Sequence, residues 1–191
     1  MTARTHDAIA FASLITVAAF NPPENLTLTT SISAIVANII GALIPDMDQA
    51  TNRLWDLLPG GDYLGRVFRR IFLGHRTITH SLLGVYLIYQ ILNFILPRIL
   101  NPAYVDIQII LASMMIGYIS HLAGDALTKE GLPLLFPLKW HFGIPPFKFL
   151  RITTGKWVEN LVVLPGVAAY IFWLIGKNQS LFIDLLKKIS A

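Results

Sequence analysis

Leu73-Gly-His-Arg-Thr-Ile-Thr-His-Ser-Leu-Leu-Gly84 sets two imidazoles, a guanidinium and three hydroxyls directly against an apolar run that continues to Ile99. A histidine can ligate a metal, act as a general base or carry a proton, and it costs far less at a bilayer edge than at the centre. The stretch therefore predicts a polar site on one membrane face, with this motif as one wall and the ends of other helices as the rest.

The composition around it is that of a membrane protein. The 191 residues are 54% hydrophobic and 14% charged, with a mean hydropathy of +0.61, values foreign to a soluble domain. The length fits one domain, residues 1–191. There is no cysteine, which excludes disulfides and thiolate metal sites and leaves His, Asp and Glu as ligands, a donor set for zinc or manganese. The net charge of +4 suits anionic lipid headgroups in so apolar a chain, and nucleic acid is not expected as a partner.

The fold expected is an all-α polytopic membrane protein with about five embedded helices, joined by interfacial helices and one proline- and aromatic-rich loop. The first apolar run, Ala8 to Phe20, is short and stops at Asn21-Pro-Pro23; it has no secretory cleavage pattern and is expected to be retained. Span two is Thr29 to Ile44, closed by Pro45, with Asn38 its strongly polar interior residue. Tyr63 to Phe72, with Arg66, Arg69 and Arg70, reads as an amphipathic interfacial helix. Span three is Ser81 to Leu96, ended by Pro97, and span four runs from Val105 into His121. From Thr128 to Trp157 the prolines forbid a span, so this stretch is a greasy loop at the membrane surface. Asn160 to Ile175 is span five, and Ser180 to Ile189 an amphipathic tail.

Threading five spans through a bilayer sorts the ionisable residues. His6, Asp46, Asp48, His75, His80, His121, Asp125 and Glu159 all fall on one face, whereas the opposite turns carry Glu24 and Asp106 and no histidine. Eleven of the fifteen Lys and Arg residues share the His/Asp face, which places it in the cytoplasm.

Each motif has a bland alternative. His121 and Asp125, at i and i+4, share a helix face and either ligate one ion or close the helix as a buried pair. Asp46 and Asp48 follow a helix C-terminus, whose dipole favours a cation, or simply form a solvated turn. His80 stands at a helix N-terminus, where Arg76 could clamp a phosphate or contact headgroups. Thr79 and Ser81 read as caps rather than nucleophiles. Glu159 is a ligand or general base, or a favourable charge on a helix start. His141, between Trp140 and Phe142, reads as interfacial. Taken together, the histidines and carboxylates of one face argue for one or two divalent ions.

These blocks resemble the YdjM-like inner-membrane metal-dependent hydrolases. The resemblance covers nearly the whole chain and rests on His6, Gly41-Ala-Leu-Ile-Pro-Asp-Met-Asp48, Gly74-His-Arg-Thr-Ile-Thr-His-Ser-Leu-Leu83, Ser120-His-Leu-Ala-Gly-Asp125 and Thr154-Gly-Lys-Trp-Val-Glu159. The ligand order is also similar to that of zinc-dependent phospholipase C and related zinc nucleases, except that Gly155 or Lys156 stands where those enzymes have a histidine. The resemblance implies a hydrolase. With the residues it gives a metal-dependent phosphoester hydrolase at the cytoplasmic face of the inner membrane, acting on a phospholipid or lipid-linked phosphate. Zinc is expected before manganese, with His75, Arg76 and Glu159 as catalytic groups. The rival readings are a proton- or ion-coupled transporter and a scaffold with a structural metal.

Overall fold

A computed structural model describes residues 1–48, 53–56, 61, 63, 77–138 and 140–190. Six principal helices are labelled α1 (Ala3–Phe20), α2 (Leu28–Leu43), α3 (Leu82–Ile99), α4 (Ile107–Ala126), α5 (Leu164–Lys177) and α6 (Gln179–Ser190).

Local chemistry sets their ends. Thr27 Oγ1 accepts from Thr30 N (3.1 Å) to open α2, Ser81 Oγ accepts from Gly84 N (3.1 Å) to open α3, and Asp106 Oδ1 accepts from Gln108 N and Ile109 N to open α4. Each side chain satisfies backbone N–H groups that the first turn leaves over. Helix α2 passes at Ile44 into a 3-10 turn, Ile44–Asp48, which carries Pro45. A five-residue π-turn, Glu159–Val163, precedes α5, whose Pro165 has no N–H to donate.

Pro97 does not end its helix as the sequence predicted: it lies inside the last turn of α3, which runs on to Ile99. So near a C-terminus its missing N–H removes a single bond, and Arg98 donates to the Phe94 carbonyl in the same turn.

Among the described residues four helical segments are long and apolar enough to cross a membrane: Leu28–Met47, Leu82–Ile99, Ile107–Ala126 and Glu159–Lys177. Helix α1 carries Arg4, His6 and Asp7 near its start and stands outside that set, so the expected five is four plus this helix.

The centre of the bundle is the α2–α4 pair. A Cβ at Gly117 would lie 2.0 Å from Asn38 O, and one at Gly41 would lie 2.0 Å from Met114 O, so the two backbones touch where only glycine fits. Asn38 Nδ2, fully buried, donates across the seam to Ser113 O (3.1 Å), which accounts for the polar residue inside span two. Helix α1 packs on both, α5 packs on α1, and α3 on the far side of α4. Only 11% of each outer span, α3 and the α5 segment, is buried, as suits faces turned to lipid. The predicted interfacial helix Tyr63 to Phe72 lies outside the described residues save for Tyr63 itself.

Candidate metal centre

The alternation of the bundle brings the start of α1, the end of α2, the start of α3 and the end of α4 to one place. His6 comes from the first, Asp46 from the 3-10 turn after α2, His80 from a 3-10 turn (Ile78–His80) before α3, and His121 with Asp125 from the last turns of α4. Four of the five are at most 3% exposed. Asp46 is the exception, with 28% of its side chain exposed, and marks the mouth.

Their ligating atoms converge. His80 Nε2 lies 3.5 Å from Asp46 Oδ1 and 3.6 Å from Asp125 Oδ2, and His121 Nε2 lies 3.7 Å from each of the same oxygens. His6 Nε2 is 3.2 Å from Asp125 Oδ1, where the Met1 amine also sits at 2.5 Å. The His6 and His121 rings stack at 3.7 Å. Two overlapping triads could hold an ion: His6, His121 and Asp125, and Asp46, His80 and His121. A tetrahedral ion at about 2.0–2.1 Å from N or O donors sets its ligands about 3.3–3.4 Å apart; the donors of each triad lie within 4.8 Å of one another and would draw in to close on one.

The imidazoles are oriented from behind. His121 Nδ1 lies 2.7 Å from Ala42 O; a carbonyl can only accept, so Nδ1 carries the hydrogen and Nε2 keeps the lone pair a metal needs. That Nε2 is buried with no hydrogen-bond partner among the described residues, the position expected of a ligand rather than of a satisfied core histidine. His80 Nδ1 is 3.1 Å from Thr79 Oγ1, and buried Tyr118 donates from its hydroxyl to the Thr79 carbonyl, tying the His80 turn to α4. Replacing Thr79 by valine is expected to weaken metal affinity by about 10–100-fold, as loss of an outer-shell partner does, with the helical circular-dichroism signal unchanged; competition against a chelating dye measures it.

Burial opposes charge on His80, yet the Asp125 and Asp46 carboxylates outweigh it and raise its pKa above 6.5. In the metal-free protein this contributes stability below the unfolded pKa, which is lost as pH rises through the raised value. The same proton competes for Nε2. Metal affinity is therefore expected to be weaker at about pH 6 than at about pH 8, with proton release on binding, which titration calorimetry in buffers of different ionisation enthalpy would read.

Glu159 is not part of this cluster. Its fully buried carboxylate accepts from Thr2 N (2.6 Å), Thr2 Oγ1 (2.8 Å) and Gly155 N (2.7 Å). With three donors on two oxygens it latches the start of α1 to the turn before α5, and it belongs to neither triad. The sequence places it on the right face but cannot see those donors. Ser81 is the cap expected, whereas Thr79 faces His80. His141 is exposed, in the loop. His75, Arg76 and the side chain of Asp48 lie outside the described residues. Sequence reasoning missed Thr79, Tyr118 and the Ala42 carbonyl as supports. Tyr118, three residues before His121 on one helix face, left a signal; a backbone carbonyl leaves none.

Comparison with known proteins agrees on membrane residence. A sequence model of the YdjM inner membrane protein family matches residues 1–184. The chain is 31% identical to the uncharacterized protein YvsG of Bacillus subtilis over 92% of its own length and 96% of that protein's. It is 34% identical to the inner membrane protein YdjM of Escherichia coli over 75% of its own length and 65% of that relative's. No solved structure matches it. On this match along nearly its whole length, the chain belongs to the YdjM inner membrane protein family.

Proposed function

We propose that the chain is a membrane-bound, metal-dependent hydrolase, with its site on the cytoplasmic side, acting on a phosphoester of a phospholipid or lipid-linked phosphate. The carrying observation is the convergence of Asp46, His80, His121 and Asp125 from separate helix ends, three of them buried and one at the mouth. The ligands are nitrogen and oxygen donors only, which favours zinc, with manganese second.

A bound divalent ion would supply Lewis-acid polarisation of a phosphoryl oxygen and acidify water. His80 and His121 would hold it from the protein side, their outer nitrogens fixed by Thr79 and Ala42. His121 has one free nitrogen, so the two triads compete for it and a single ion per chain is favoured by the described residues. Each triad supplies three protein ligands, the number that leaves a catalytic site open. Asp46, the most exposed of the set, is placed to accept a proton at the mouth through a carboxylate oxygen. Asp125 divides its oxygens, Oδ1 toward His6 and Oδ2 toward His80 and His121, and so fixes the inner wall. Arg76, four residues before His80 in sequence, would offset phosphate charge. The cytoplasmic assignment rests on the eleven basic residues of that face. A transporter would be expected to carry such groups near the middle of the bilayer, whereas these stand at helix ends.

The test is phosphate release from phospholipid and from a generic phosphoester by zinc-loaded protein in detergent, beside chelated protein and Asp46→Asn. Turnover abolished by chelator, restored by zinc and lost in the variant is expected. Stoichiometric zinc with no turnover of either substrate would leave a structural metal and refute the hydrolase.

A further inference from the structure

On the same face as the His/Asp cluster, the segment from Thr128 to Trp157 folds without a helical span and, apart from the buried Leu132, turns most of its large apolar side chains outward. Trp140 (67%), Ile144 (65%), Phe147 (62%), Phe149 (77%) and Trp157 (68%) are all exposed. We propose that this segment is a preformed membrane-seating shelf, whose aromatics enter the headgroup–acyl boundary of anionic lipid on the site face and fix the depth of the bundle there.

The outward posture is fixed by the backbone. Leu132 and Phe142 exchange N–H to carbonyl bonds (2.7 and 2.8 Å), Ile144 N donates to Ala126 O (2.8 Å), and Ile152 N donates to Leu127 O (3.0 Å). Arg151 closes the tip, donating from Nε to Pro145 O (2.7 Å) and from Nη2 to Pro146 O (3.0 Å). A loop so tied to the end of α4 cannot turn its aromatics inward, and a patch this apolar needs a partner.

Two observations choose lipid. The shelf is continuous with the lipid-facing surface, since Trp157 leads into the α5 segment whose next turn exposes Leu161 (70%). Its charge is also complementary: between residues 127 and 158 the sequence holds Lys129, Lys139, Lys148, Arg151 and Lys156 against the single acid Glu130, the pattern that anionic headgroups attract. Tryptophan among them is the side chain that favours this boundary. The shelf stands whether or not the His/Asp cluster is a catalytic metal site.

The absence of cysteine makes the test direct. Phe149→Cys and Trp140→Cys, each labelled with an environment-sensitive fluorophore, would be reconstituted in phosphatidylglycerol vesicles beside Phe94→Cys on the lipid-facing side of α3. The expected result is quenching of both shelf probes by a shallow lipid-attached nitroxide and shielding from iodide, at a depth of about 5–10 Å below the headgroup plane. Phe94→Cys should respond to a deep nitroxide. Iodide quenching equal to that of the free dye, or shielding from iodide without nitroxide quenching, as a second protein chain would give, overturns the proposal.

Discussion

His121→Ala is expected to abolish stoichiometric metal binding, a loss beyond the roughly 100-fold that marks the upper end of outer-shell effects. The reason is the sharing of one atom: Nε2 of His121 belongs to both triads, so no arrangement of the remaining described groups retains either. Asp46→Asn removes a member of one triad only and should leave measurable affinity through His6, His121 and Asp125. Because His121 also stacks on His6, the alanine variant loses packing as well as a ligand, and His121→Gln serves as a fuller-volume companion with the same expected metal loss. Elution as the same species as wild type in size-exclusion chromatography separates lost ligation from lost fold.

The second large effect is remote from any ligand. Gly117→Val would drive a side chain into the α2 backbone, where even a Cβ would meet Asn38 O at 2.0 Å and Ala42 N at 2.9 Å. Backbone cannot yield as a flexible side chain does, so α2 and α4 must part. Overpacking of this kind costs about 1–3 kcal/mol or more. The same displacement carries away the Ala42 carbonyl that orients His121, so metal affinity falls along with thermal stability. Gly176→Val is the control: nothing lies within 4 Å of the added Cβ, and its midpoint should stay near wild type. Thermal unfolding in detergent, with and without zinc, reads both effects.

Much of the bundle could be read from the chain because apolar runs and their terminators are local. Asn21-Pro-Pro23 stops α1, Ser81 caps α3, and the prolines after Thr128 forbid a span. Alternating those spans was enough to put His6, Asp46, His80, His121 and Asp125 on one face, since a helix end is a coarse coordinate that a count of residues supplies. Finer distances are set by packing. Glu159 shares the face but is taken up by Gly155 and by Thr2, and no spacing rule reveals a donor 157 residues away. Pro97 misleads because a proline in a last turn forfeits little. The Ala42 carbonyl reaches His121 only through the glycine contact of α2 and α4, which is tertiary in origin.

The most direct test of a shared divalent-ion site is elemental analysis of the detergent-purified, chelator-free protein beside His121→Ala and Asp125→Ala. One zinc or manganese per wild-type chain, absent from His121→Ala and bound more weakly by Asp125→Ala, which keeps the Asp46, His80 and His121 triad, is the predicted result. A folded wild-type protein that carries no stoichiometric metal, and takes up none on reconstitution, would contradict it.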